Sequence, residues 1–191
     1  MSKRMVATIV IPYYKTKDSE WQYKRCEDSI LSQTYKDYEI VKVEQGSATH
    51  NINEGVKMAQ GEIIITLGMD DYFTHENALQ AIVERFNGIW GAHGVSNNIN
   101  PYYTGDIHLG NNKMGGVSAM MCRKDSWIPL DETLVWLFDC DWYKKMFAKY
   151  GEPTIIEGDF VTITEGEGQA TSNISKELKV KEEMIMRKQY D

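Results

Sequence analysis

The hydrophobic pattern of the first seventy residues alternates between two periods. The β-branched run at 6–11, Val-Ala-Thr-Ile-Val-Ile, stops at Pro12 and predicts a buried strand. Either Asp18 or Ser19 then caps a predicted helix reaching about residue 33, with Tyr23, Cys26, Ile30 and Leu31 at helical spacing. Residues 38–43 alternate as a second strand. Residues 48–59 predict a second helix with Gly61 as its stop signal, and 63–67, Ile-Ile-Ile-Thr-Leu, a third buried strand. A helix at 76–86 carries Leu79, Ile82, Val83 and Phe86 on one face. The rhythm then loosens into a short strand at 91–96, a long Asn-, Gly- and Tyr-rich loop at 97–116 and a strand at 117–122. A helix at 138–150, one or two strands within 153–163 and a charged amphipathic helix at 175–190 complete the pattern.

Strand, helix, strand, helix, strand at this spacing implies right-handed crossovers and an α/β fold with a mostly parallel central sheet flanked by helices. Ligands of such sheets bind beyond the carboxyl ends of the strands, which marks 13–17, 44–48 and 68–73 as site candidates before any motif is considered.

Composition narrows the class. The chain has 191 residues, 42% of them apolar and 26% charged, enough for one domain with a full core. A net charge of −7 argues against a nucleic-acid-coating role, which needs clustered Lys and Arg. No apolar run approaches the ~20 residues that span a bilayer, and the basic start lacks the long apolar region of a signal peptide. Cys26, Cys122 and Cys140 form neither a disulfide framework nor a CxxC pair, so a reducing cytoplasm is expected (a host cytoplasm for a viral protein). His50, His75, His93 and His108 lack the spacing of a helical zinc site, and His50 and His75 read as helix-surface residues.

Asp70-Asp71 is the most informative pair. Adjacent carboxylates at a strand end repel and raise each other's pKa unless a cation or donor intervenes. Mg²⁺ or Mn²⁺ bridging a diphosphate resolves that conflict. The competing reading is local: Asp71 or Thr74 caps the helix expected at 76.

The residues around that pair resemble the family 2 glycosyltransferases. The resemblance is carried by Thr8-Ile9-Val10-Ile11-Pro12-Tyr13-Tyr14, Ser29-Ile30-Leu31-Ser32-Gln33-Thr34-Tyr35, Tyr38-Glu39-Ile40-Val41, Gly46-Ser47, Asn53-Glu54-Gly55, Ala59-Gln60-Gly61-Glu62 and Leu67-Gly68-Met69-Asp70-Asp71. It is close over residues 5–75 and loose beyond. It implies a GT-A, Rossmann-like nucleotide-binding fold in a single domain, with a nucleotide-sugar-binding half at about 1–96 and an acceptor-binding half with the terminal helix at about 97–191. Asp70 and Asp71 match the metal motif that holds Mn²⁺ or Mg²⁺ against the donor diphosphate. Pro12, Tyr13, Tyr14, Glu44, Gln45, Asn53 and Asp70 match donor-binding positions.

The chain departs from the family at three places. Glu44-Gln45 stands where an Asp pair is usual, Gly68 replaces the common upstream Asp of the metal motif, and no histidine follows near the C-terminal end. Glu165 or Glu167 can take that ligand's place, or the segment is a solvated acidic loop. Phe138-Asp139-Cys140-Asp141-Trp142 resembles the family's acidic helix start, with Asp139 at the position of the base and Asp141 in reserve. The local reading of Asp139 is a helix cap.

Trp90, His93, Tyr102, Tyr103, His108, Trp127 and Trp136 fall in the acceptor half, where some are expected to stack on sugar and at least half to build the core. Gly115-Gly116 lets backbone approach the donor sugar. The terminal helix is expected to pack on the domain or to form a homodimer, its acidic residues weakening a membrane role.

The expected activity is a metal-dependent, inverting transfer of a sugar from a nucleoside diphosphate sugar, a UDP-hexose being favoured, to a hydroxyl on a glycan or other biomolecule. The alternatives are a silent nucleotide-sugar-binding module and a nucleotidyltransferase, for which Lys15-Thr16-Lys17-Asp18 is a poor phosphate loop. No GxGxxG follows the first strand, which disfavours a nicotinamide dehydrogenase.

Overall fold

Ala7–Pro12 forms β1, buried at every position, as a strand covered on both faces must be. In this computed structural model, which describes residues 6–164 and 174–191, β1 is flanked by β2 (Tyr38–Val43) and β3 (Ile63–Thr66), both parallel to it. Helices α1 (Ser19–Leu31) and α2 (Ala48–Met58) make the crossovers. Ser47 Oγ caps α2 by accepting from His50 N. Gly61 is not the helix stop: a Cβ there would lie 2.6 Å from the Ala7 carbonyl carbon, so glycine is needed where the chain crosses β1.

The remaining strands are β4 (Tyr72–Phe73), β5 (Trp90–Val95), β6 (Met120–Arg123) and β7 (Thr154–Thr162). They complete a seven-stranded sheet of order β2-β1-β3-β6-β5-β7-β4. β1, β2, β3, β5 and β7 run one way, while β6 and β4 oppose their neighbours. The expected mostly parallel α/β architecture is therefore present, with α3 (Ala78–Arg85), α4 (Phe138–Tyr150) and α5 (Lys176–Tyr190) as the other helices.

Two elements depart from the sequence pattern, both beside the Asp pair. Residues 72–73 pair with β7, so α3 starts at Ala78 rather than 76. Neither Asp71 nor Thr74 caps it. Gln33, just past the end of α1, does so by accepting from Leu79 N and donating to His75 O, each at 2.9 Å. The strand expected at 117–122 begins as a 3-10 turn, Val117–Ala119, which turns Ser118 toward β3 before β6 starts.

The aromatic residues mostly build the core. Trp90 and Trp142 meet edge to face with centroids 6.1 Å apart, Trp127 lies 5.2 Å from Trp142, and Tyr103 stacks on Phe147 at 4.2 Å. His93 is buried against Phe160, its pKa lowered to about 4 by desolvation. His108 contacts Asp191 at 2.8 Å, and Tyr102 is exposed.

On α5, Met186 and Glu182 are buried, while Val180 and Met184 face outward. Cys26, Cys122 and Cys140 are buried free thiols. No described helix is long and apolar enough to cross a membrane.

Candidate functional site

The carboxyl ends of β1, β2 and β3 open into one cleft of about 640 Å³. Pro12 and Tyr14 enter it from β1, Gly46 and Ser47 from the turn after β2, and Gly68, Asp70 and Asp71 from the turn after β3. Gly116, Val117, Ser118 and Phe138 form the facing wall. The three segments marked by topology alone are thus brought together.

Asp71 is nearly inaccessible, at 8% exposure. Ser118 Oγ donates to its Oδ2, and the Thr164 N–H donates to Oδ1 at 2.9 Å. Desolvation, with the neighbouring Asp70 charge adding to it, pushes the Asp71 carboxyl up to about 6. Asp70 is raised as well, again chiefly by desolvation. Both carboxylates crowd the same side of Gly68, where a Cβ would meet Asp71 Oδ2 at 3.0 Å and Asp70 Oδ1 at 3.1 Å. A Cβ at position 68 would press on both carboxylates, so glycine lets them converge there without shifting.

Among the described residues no group of three or more His, Cys, Asp and Glu side chains comes together as a metal cage. The Asp70–Asp71 pair nevertheless fits Mg²⁺ or Mn²⁺. These hard ions are held by one or two carboxylates and complete their shell with water and substrate phosphate oxygens. Two desolvated carboxylates converging at a cleft supply that donor set. Glu167 lies outside the described residues.

Arg25, on α1, braces the turn from behind. Its guanidinium stands 4.7 Å from the Trp21 ring centroid and 4.4 Å from that of Tyr72. Its Nη2 donates to the Asp70 carbonyl at 2.6 Å and to Thr164 Oγ1. Tyr14 faces the pair from β1, its phenol pushed up to about 12 by burial and then by the two acidic charges.

Asp139 stands behind the far wall, in the first turn of α4. Its Oδ1 accepts from Cys140 N at 2.7 Å and its Oδ2 from Asn112 Nδ2 at 2.9 Å. Gly116 connects it to the cleft: a Cβ there would lie 3.8 Å from Asp139 Oδ2. Desolvation outweighs these hydrogen bonds and that of the Cys140 thiol and pushes this carboxyl up to about 6. A carboxylate with that pKa is ionised at neutral pH and still basic enough to take a proton.

Other residues expected at the site are engaged elsewhere. Asp141 is fully buried and faces α5: Lys145 Nζ pairs with its Oδ2 at 2.6 Å, and the Tyr190 hydroxyl donates to Oδ1. It is a packing anchor rather than a reserve base. Asn53 ties α2 to the distant segment ahead of α4, accepting from Leu130 N at 2.8 Å and donating to Leu130 O and Glu132. Tyr13 is buried below the cleft, its hydroxyl 3.1 Å from Ser19 Oγ. Glu44 is exposed and pairs at 3.5 Å with Lys15, and Gln45 is exposed beside it. Asn51 instead shapes their turn, its Oδ1 accepting from Gln45 N and Gly46 N and its Nδ2 donating to Tyr13 O.

Arg25, Asn51, Asn112 and Ser118 are absent from the sequence reading. None of them stands in a local sequence pattern that marks its role.

No protein-family model and no curated protein sequence matches the chain. Solved structures do match its fold. TarS residues 1–349 from S. aureus, in complex with UDP, superpose with a TM-score of 0.64 at 14% identity, over 98% of this chain and 67% of that one. The same segment in complex with UDP-GlcNAc gives 0.60 at 14%, over 90% and 62%. The mannosyltransferase PcManGT from Pyrobaculum calidifontis, in complex with GDP-Man and Mn²⁺, gives 0.60 at 11%, over 88% and 59%. This chain spans about 60% of the length of the latter two. These likenesses, with the strand order above, establish a GT-A-like α/β fold.

Proposed function

We propose that this chain is a glycosyltransferase of the family 2 type. It transfers a sugar from a nucleoside diphosphate sugar, a UDP-hexose being favoured, to a hydroxyl on a glycan or other biomolecule, with inversion at the anomeric carbon. The observation that carries this reading is the Asp70–Asp71 pair in a cleft beyond β1, β2 and β3, with Asp139 just behind the facing wall at Gly116. The UDP, UDP-GlcNAc and GDP-Man held by solved structures of the same fold support a nucleotide-sugar donor.

In this reading Pro12 and Tyr14 flank the nucleotide. Asp70 and Asp71 hold Mn²⁺ or Mg²⁺, which supplies the counter-charge for the departing diphosphate. The acceptor hydroxyl attacks the anomeric carbon while Asp139 takes its proton. The new carbon–oxygen bond forms as the bond to the diphosphate oxygen breaks, and that electron pair leaves with the diphosphate.

Asp71→Ala removes one of the two converging carboxylates. In a thermal-shift titration, Mn²⁺ with UDP-glucose is expected to raise the wild-type Tm, because a ligand of the native state stabilises it. The Mn²⁺-dependent part of that rise is expected to vanish in Asp71→Ala. A variant that keeps it refutes the metal assignment. A wild-type protein that binds UDP-sugars in Mn²⁺ but releases no UDP, with or without glycan acceptors, is instead a silent binding module.

A further inference from the structure

We propose that Asn112 positions the Asp139 carboxylate for proton abstraction, through an amide whose orientation the surrounding backbone fixes. This rests on the reading of Asp139 as the base. Asn112 Oδ1 accepts from Met114 N at 2.9 Å and Gly115 N at 3.1 Å. Two backbone donors on the oxygen leave Nδ2 as the only amide atom that can face Asp139. Nδ2 donates to Asp139 Oδ2 and to the Gly115 carbonyl, both at 2.9 Å. A flipped amide would lose all four contacts and set an oxygen against the carboxylate.

The consequence for Asp139 is geometric. Cys140 N holds Oδ1 and Asn112 holds Oδ2, so the carboxylate cannot rotate freely. One lone pair of Oδ2 remains for the acceptor proton. The same amide shapes the turn in which Gly115 adopts φ +100° and Gly116 reaches the cleft wall. Asn112 therefore fixes both the basic oxygen and the backbone beside it.

The groups packed around Asp139 bring no charge to it, and Asn112 is the side-chain donor that reaches it from outside α4. On α4 the neighbours are the Cys140 thiol and Tyr143 phenol, both neutral groups whose pKa values burial raises further. From α5, Glu182 faces the N–H groups of residues 135–137 instead. Among the described residues no cation pairs with Asp139; its side-chain donors are the thiol of the adjacent Cys140 and the Asn112 amide.

Asn112→Asp separates positioning from loop structure. The substituted carboxylate keeps an oxygen for Met114 N and Gly115 N, the two donors that hold the turn, and gives up the bond to the Gly115 carbonyl. Its other oxygen replaces Nδ2 against Asp139 Oδ2, and two facing carboxylates then share a proton. The assay is UDP release from UDP-glucose with Mn²⁺, read as kcat and donor KM across pH 5–9. The acid limb of kcat is expected to move up by about one pH unit or more, with KM changed less than about twofold. Asn112→Ala is expected to shift the limb in the same direction by less, since it removes the donor without adding a charge.

Carbonyl ¹³C NMR of Asp-labelled protein, with the Asp139 signal identified by its loss in Asp139→Asn, is expected to report the same rise. An Asn112→Asp acid limb and Asp139 midpoint equal to wild type overturn the proposal. If Asp139→Asn turns over normally, the base reading falls and takes this inference with it. If Asp139→Asn is silent while Asn112→Asp behaves as wild type, only the role of Asn112 falls.

Discussion

Asp139→Asn leaves donor binding in place and removes transfer. The substitution is isosteric and lies across the cleft from the Asp70–Asp71 pair, so Mn²⁺-dependent protection by a UDP-sugar is expected to persist. A missing general base costs about 10²–10⁴ in rate, and kcat for UDP release is expected to fall by that much. The wild-type pH profile follows from the same group. Its carboxyl is pushed up to about 6 by burial, and only the ionised form accepts a proton. Transfer is therefore expected to hold above about pH 7 and to fall about tenfold per unit below pH 6. The asparagine variant loses that limb as well as the rate. A variant within about threefold of the wild-type kcat would place the base elsewhere.

Glu182→Ala carries the largest expected loss of stability. Its carboxylate accepts from three consecutive backbone N–H groups, those of Val135 at 2.7 Å, Trp136 at 2.9 Å and Leu137 at 2.8 Å. Val135 and Trp136 precede the N-cap Leu137, so Glu182 clasps the chain leading into α4 as well as the N-cap N–H, and no side-chain hydrogen bond caps the helix from Leu137 itself. Glu182 is 1% exposed and the bond to Leu137 N is buried, while those to Val135 N and Trp136 N are partly buried. Each orphaned buried donor costs about 1–3 kcal/mol. A combined loss of at least about 3 kcal/mol corresponds to a Tm drop of about 10 °C in a domain of this size. Glu182→Gln keeps one acceptor oxygen and turns an NH₂ toward the remaining donors, so it is expected to recover only part of that drop. Thermal unfolding of both variants checks this. An alanine variant melting within about 2 °C of wild type would mean that α4 starts without this cap.

The legible parts of the fold were those whose signal is local. β1, β2, β3, α2 and α4 follow from apolar runs and periodicity within each segment, and their bounds agree with the pattern to within a residue or so. The two residues of β4 carry no period at all, because their partner lies in β7 about ninety positions away. The Val117–Ala119 turn was hidden by an apolar run that reads as strand, and the site pulls it out of the sheet.

The same division runs through the site. Asp70, Asp71 and Asp139 stand in short motifs and reach the cleft or its wall. Asn53 and Asp141 stand in equally good motifs, yet a linear motif does not say which face of a helix a side chain takes, and theirs face packing partners. Arg25, Asn112 and Ser118 act on residues 45, 27 and 47 positions away, so only the folded chain reveals them.

The cap on α4 also sets an order of events during synthesis. Residues 135–137 leave the ribosome well before Glu182 does, so the segment leading into α4 waits without its acceptor until α5 has been made. Donor-cleft strands β1, β2 and β3 can pair long before that moment. A nascent chain is thus expected to pair the cleft strands first and to order the segment leading into α4 only once α5 has docked.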